Sequence, residues 1–246
     1  MTLPPWLAEH ADARGIGRMI DYTLLRPDAM WIDVARLCDE AVASDLIAVC
    51  VNGLWVRRCA ERLAGTDVRL AAVVGFPLGA GSTTAKAAEA ANAVLDGAIE
   101  LDMVMPLGLA KAGEWTAVAD DVSAVVEAAA GRSLVKVILE TALLTPSEIV
   151  EACGAATRGG AAFVKTSTGF HAAGGATVQA VAAMRAAVGP TFGVKASGGI
   201  RSAEAALTMI AAGANRIGAS NLAAFVGIVG PSAPSVADLV AAHAPA

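Results

Sequence analysis

"GAAFVKTSTGF", residues 160 to 170, decides how this chain is read. Phe163 and Val164 open like a buried strand, and Lys165 follows them directly. A lysine is among the side chains least often buried unless it is paired or used. The same pattern recurs in neighbouring stretches. LVKVILE (134–140) places Lys136 and Glu140 in an apolar run, and FGVKASG (192–198) does so with Lys195. Upstream, AIELDMVM (98–105) carries Glu100 and Asp102. Residues two apart share a strand face, so in each stretch the charged positions fall on one face and the apolar ones on the other. The chain has only five lysines against thirteen arginines, yet three of the five lie inside these strands. Four consecutive strands that aim charge at a common interior describe a site.

Working outward, four further strand-like runs complete the set: RMIDYTLL (18–25), LIAVCV (46–51), RLAAVVGF (69–76) and RIGAS (216–220). Helical periodicity falls between them, over 31–44, 83–95, 114–130, 146–158, 176–188 and 202–213. Asp28, Ser82, Thr145 with Pro146 and Glu148, and Ser202 supply start signals for four of these helices. Strand starts are mostly about 25 to 30 residues apart, the size of one strand, one helix and two short loops. Eight such units predict a (β/α)8 TIM barrel of eight parallel strands with outer helices. An open doubly wound sheet is the competing arrangement, but DYTLLRPD after the first strand lacks the Gly-rich dinucleotide loop that usually marks it. The expected organisation is one barrel domain over residues 1–246, with a short N-terminal extension (1–15) and a C-terminal tail (231–246).

Composition narrows the function. The 56% hydrophobic content is largely alanine, a good helix former. LAAFVGIVGPSAPSVADLV (222–240) is interrupted by prolines and Asp238, and the N-terminus lacks a basic-then-apolar leader. A cytoplasmic protein without a membrane partner is therefore expected. A net charge of −5 argues against nucleic acid. Cys38, Cys50, Cys59 and Cys153 form no paired spacing and read as free thiols, while His10, His171 and His243 match no zinc motif, so no metal and no cofactor are expected.

Two amines and a carboxylate in one lumen suggest a specific chemistry. Burial and a neighbouring cation lower a lysine pKa, and a neutral amine forms a Schiff base with a carbonyl. The iminium draws electrons from an adjacent C–C bond, and a carboxylate with water moves the protons. Lys165, Lys195 and Asp102 thus point to metal-free aldol chemistry, with Lys165 the preferred nucleophile, although chemistry alone leaves either amine free to tune the other. TSTG (166–169), SGGIRSAE (197–204) and GASN (218–221) end the last three strands. Their glycines and the helix start near Ser202 suit a phosphate, which barrels of this kind commonly hold after strands 7 and 8.

Taken together, AIELDMVM, KVILET, FVKTSTGF, GVKASGGIRSAEAA and RIGAS resemble the deoxyribose-phosphate aldolase family, from about residue 16 to residue 222. IDYTLLRP and AVCVN resemble that family's first two strands. The resemblance implies reversible cleavage of 2-deoxyribose 5-phosphate into glyceraldehyde 3-phosphate and acetaldehyde. Lys165 would form the Schiff base, Lys195 would lower its pKa and Asp102 would transfer protons. Thr168, Gly169, Gly198, Gly199, Gly218 and Ser220 would line the sugar and phosphate end. The family also commonly pairs into dimers. Tyr22 and Asn221 depart from its usual His and Ser, and the tail VAAHAPA lacks the terminal tyrosine of some relatives, leaving Asp102 and water for proton transfer.

Smaller expectations complete the reading. Lys136 and Glu140 are expected to form a buried pair, with Glu100 joining from the layer below. Asn221 is expected to offer a donor to the phosphate. Cys50 is a candidate trap for unsaturated aldehydes. Trp31, Trp55 and Trp115 are packing or subunit contacts. Two rival functions remain open: another Schiff-base barrel lyase acting on a ketose phosphate, and a non-catalytic barrel that binds phosphorylated sugars.

Overall fold

A computed structural model describes residues 3–10, 13–230 and 232–243. Parts of the expected N-terminal extension and tail, including Pro231 and the last three residues, lie outside the described residues. Eight parallel strands close on themselves in chain order: β1 (Ile20–Leu24), β2 (Ala48–Val51), β3 (Arg69–Val74), β4 (Glu100–Val104), β5 (Leu134–Ile138), β6 (Phe163–Lys165), β7 (Gly193–Ala196) and β8 (Arg216–Ala219). Each lies inside one of the eight runs named from sequence. The outer layer holds α1 (Trp31–Ala43), α2 (Val56–Arg62), α3 (Thr83–Leu95), α4 (Leu107–Lys111), α5 (Trp115–Ala129), α6 (Pro146–Arg158), α7 (Val178–Val188) and α8 (Ala203–Ala211), and α9 (Val236–His243) follows. The expected barrel is present.

Strand alternation sorts the core into two zones. Val49, Val51, Leu70, Val74, Leu101, Met103, Val135, Val137, Val164, Val194 and Ile217 face outward into the principal apolar layer beneath the helices. Cys50, Ala71 and Val73 face inward and form a small apolar wall with Leu25. The rest of the lumen is polar. Gly193 fits this interior because a Cβ there would lie 2.2 Å from the ring of Phe163, its register partner on β6.

Helix starts follow local chemistry. Ser82 caps α3, Ser202 caps α8 and Thr145 caps α6 with a reciprocal bond to Glu148. These satisfy backbone N–H groups that have no partner within the helix. Asp28 is not the cap of α1: Met30 takes that position, its backbone N–H donating to Asp33 at 3.1 Å, while Asp28 receives Arg26. The expected pattern missed α2, α4 and α9, which are too short to show several turns of periodicity. Trp31 and Trp55 pack together at 6.0 Å between ring centres, with Arg58 over the Trp31 ring.

Candidate active site

Four strands bring the chemistry together. Lys165 ends β6, and its register partner on β7 is Lys195. Asp102 on β4 pairs in register with Lys136 on β5. Because the barrel curves, these side chains converge. Lys165 Nζ and Lys195 Nζ each lie 2.7 Å from Asp102 Oδ2, and Lys136 Nζ lies 2.9 Å from Oδ1. All four residues are buried. Gly218 on β8 leaves room for this cluster, since a Cβ there would come within 2.8 Å of Ser197 and 3.4 Å of the Lys195 chain.

Below them lies a layer in which the sequence reading named Glu100 but neither Asp21 nor Arg216. Asp21 on β1 contacts both Lys195 and Lys136, and Arg216 on β8 reaches Asp21 at 2.7 Å and Glu100 at 3.3 Å. Lys136 also contacts Glu100. With all groups ionised, four buried cations (Lys136, Lys165, Lys195 and Arg216) face three buried carboxylates (Asp21, Glu100 and Asp102), and the part-exposed Arg69 reaches Glu100 from outside at 3.3 Å. The interior balances when one amine is neutral.

Of the three amines, Lys165 is the one whose pKa is lowered. Burial draws its ammonium below the ordinary lysine range, and Lys195 adds to the effect against the attraction of Asp102. Burial also acts on Lys195, but Asp102 and Asp21 together outweigh it and hold that amine above its usual value. Burial would raise Asp102, yet Lys136, Lys165 and Lys195 keep its carboxyl well below the usual range. A neutral Lys165 still donates an N–H to Asp102 at 2.7 Å, so the short contact and the depressed pKa agree. Among the described residues, the amine without a second carboxylate partner is the one whose pKa is lowered.

Above Lys165, at the C-terminal ends of the strands, opens a cavity of about 410 Å³. Lys165 forms part of its lining, together with Thr168, Gly169, Gly198, Gly199, Gly218 and Ser220. All six residues expected at the sugar and phosphate end therefore share one cavity with the preferred nucleophile. Gly169, Gly198 and Gly199 have φ of 82°, 85° and 81°, a backbone region that favours glycine. Arg26 and Arg201 add positive charge at the same opening and were not named from sequence. The Arg26–Pro27 turn and the residue just ahead of Ser202 were the available signals.

Two sequence expectations fail here. Lys136 and Glu140 do not pair. β5 ends at Ile138 and Glu140 has φ of 52°, so strand alternation no longer applies, and its carboxylate accepts from Thr168 N–H at 3.2 Å and Oγ1 at 2.5 Å. Glu100 does join Lys136. Asn221 is not among the residues that line the cavity, and its Oδ1 accepts from the backbone N–H of Ala223. Tyr22 lies on the outward face of β1, where its hydroxyl donates to Glu40 at 2.7 Å.

A match to the family model for DeoC/LacD aldolases covers residues 17–230. The chain belongs to this family. It is 52% identical over 206 residues to a deoxyribose-phosphate aldolase of Brevibacillus brevis, covering 84% of this chain and 92% of that one. Identity to an Enterococcus faecalis deoxyribose-phosphate aldolase is also 52%, over 211 residues, 86% of this chain and 96% of the relative. Among solved structures, the tetrameric deoxyribose phosphate aldolase of Aeropyrum pernix superposes with a TM-score of 0.81 at 33% identity, over 90% of this chain and 93% of that one. The protein is thus an aldolase on a (β/α)8 barrel, and the cluster at Asp102 lies at the strand ends where such barrels carry chemistry. No helix among the described residues is long and apolar enough to cross a membrane.

Proposed function

We propose that this aldolase cleaves 2-deoxyribose 5-phosphate reversibly to glyceraldehyde 3-phosphate and acetaldehyde through a Schiff base on Lys165. The observation that carries the reading is the shared Asp102 oxygen: two amines meet it at 2.7 Å beneath a glycine-lined cavity, and only one of them has a lowered pKa.

Neutral Lys165 attacks the aldehyde carbon of the open-chain sugar, and loss of water gives an iminium. Asp102 stabilises this cation in place of the ammonium it would otherwise face. Deprotonation of the C3 hydroxyl breaks the C2–C3 bond, whose electrons move into the iminium to form an enamine. Glyceraldehyde 3-phosphate leaves. Protonation of the enamine carbon and hydrolysis then release acetaldehyde and restore the amine. Asp102 works with water in these transfers, because a carboxylate held so far below its usual range is a weak base on its own. Lys195 remains a cation throughout and keeps Lys165 available.

The sugar phosphate lies toward Gly198, Gly199, Gly218 and Ser220, where backbone N–H groups and the start of α8 favour an anion. Enzyme of this kind serves deoxyribose phosphate breakdown in the cytoplasm, pairing as a homo-oligomer. The deciding assay offers glyceraldehyde 3-phosphate with either acetaldehyde or dihydroxyacetone phosphate as donor. Product from acetaldehyde alone supports this substrate, whereas product from dihydroxyacetone phosphate alone assigns the site to a ketose phosphate.

A further inference from the structure

The opposite end of the barrel holds a second cavity, of about 360 Å³, that the catalytic reading does not use. Its wall brings together Arg18, Arg69 and Arg216 with His10 and Asn215. Among the described lining residues, Glu9 is the one carboxylate, and its side chain is 70% exposed and turned to His10 Nε2 at 3.4 Å. Three guanidiniums and one rim carboxylate line the cavity, and each guanidinium also meets a carboxylate behind the wall: Arg18 meets Asp45, Arg69 meets Glu100, and Arg216 meets Asp21 and Glu100.

The guanidiniums are also held in place. Arg216 Nη1 is anchored on Asp21 at 2.7 Å, Arg69 Nη1 on Glu100 at 3.3 Å, and Arg18 Nη1 on the Leu46 carbonyl at 3.2 Å and on Asp45 at 3.3 Å. Among the described residues each anchor for Arg18 and Arg69 uses Nη1, which leaves the remaining N–H groups of both forks for a ligand. Asn215 Oδ1 accepts from the Val194 N–H, so its amide nitrogen likewise remains a donor. Arg216 is almost fully buried and lies over the Phe163 ring, which forms an apolar floor. Burial, reinforced by Arg216 and Arg18, holds His10 below its usual pKa despite Glu9. Pre-anchored, planar, bidentate donors are the arrangement that selects phosphate over water.

We propose that this rear cavity binds a small phosphate-bearing anion, at a site separate from the sugar phosphate end above Lys165. Inorganic phosphate and a phosphomonoester present the same dianionic head, and the cavity is roomy enough for either.

Calorimetric titration of the full chain with inorganic phosphate, and in parallel with glycerol 3-phosphate, tests this. The Arg18→Gln/Arg69→Gln double variant is expected to bind one phosphate fewer per chain than the parent, with its helical circular dichroism unchanged. Tighter binding of the ester than of inorganic phosphate would identify an organic phosphate as the ligand, and equal binding would identify the free anion. In the parent sequence, phosphate is expected to slow phenylglyoxal modification of Arg18 and Arg69 at least several-fold, read by peptide mass. A double variant that binds as many phosphates as the parent, or unchanged modification of both arginines, would overturn the proposal.

Discussion

Lys165 and Lys195 are register partners on adjacent strands, and their Nζ atoms converge on one oxygen of Asp102. Their fates differ because Asp21 contacts Lys195, while Lys165 is held by Asp102 alone. In the proposed mechanism this difference keeps Lys195 a cation and frees Lys165 as the nucleophile.

This asymmetry sets a pH dependence. Activity requires neutral Lys165, so kcat/KM rises as pH increases through its lowered pKa. Lys195→Gln removes the cation that helps lower it, and the rising limb should move to higher pH. Each unit of that movement reduces the neutral amine near pH 7 by about tenfold. A pH profile of the cleavage reaction checks it; a limb that stays in place would assign Lys195 no part in tuning Lys165.

Asp102→Asn leaves three buried amines without their common carboxylate. Loss of a proton-transfer group costs about 10²- to 10⁴-fold in rate. Breaking a buried charge cluster from one side also costs about 3–5 kcal/mol of stability. Single-turnover cleavage and urea unfolding on the same preparation separate the two effects, and both should be present.

Acid stability should follow Asp21 and Asp102. Both carboxyls have folded-state pKa values below the unfolded value of about 3.9, so the unfolded chain binds the protons first. Their contribution is complete above that pH and is lost as pH falls below about 4 toward their depressed folded values. Asp21→Asn should lower stability at neutral pH and flatten the decline between about pH 4 and pH 2. Urea midpoints across that range measure it.

Cys50 lies in the lumen, its Sγ 3.9 Å from Asp102 Oδ2. Burial, with help from Asp102, pushes its thiol up to about 11. Trapping of an unsaturated aldehyde at this position should therefore be slow at neutral pH and accelerate as pH rises. Cys50→Ala should extend survival in concentrated acetaldehyde. Equal inactivation rates for both proteins would remove Cys50 as the target.

Much of the barrel was legible because its strands alternate charge with Val, Ile and Leu, and because lysine is rare enough for its placement to be informative. Lys165, Lys195 and Asp102 stand out for that reason. Asp21 and Arg216 were hidden, since each is a single charge at the edge of an otherwise ordinary strand, and the two are 195 positions apart until the barrel closes β8 onto β1. The error at Glu140 has a local cause: alternation was extended two residues past the end of β5, into a left-handed turn. Periodicity describes a strand while it lasts, and does not mark where it stops.

The most direct test is intact-protein mass spectrometry after acetaldehyde and borohydride. The proposed mechanism predicts one added ethyl group per chain, located on Lys165 by peptide mapping and missing from Lys165→Ala. An adduct on Lys195 would reverse the two roles, and no adduct in a protein that still binds sugar phosphate would contradict Schiff-base chemistry in this barrel.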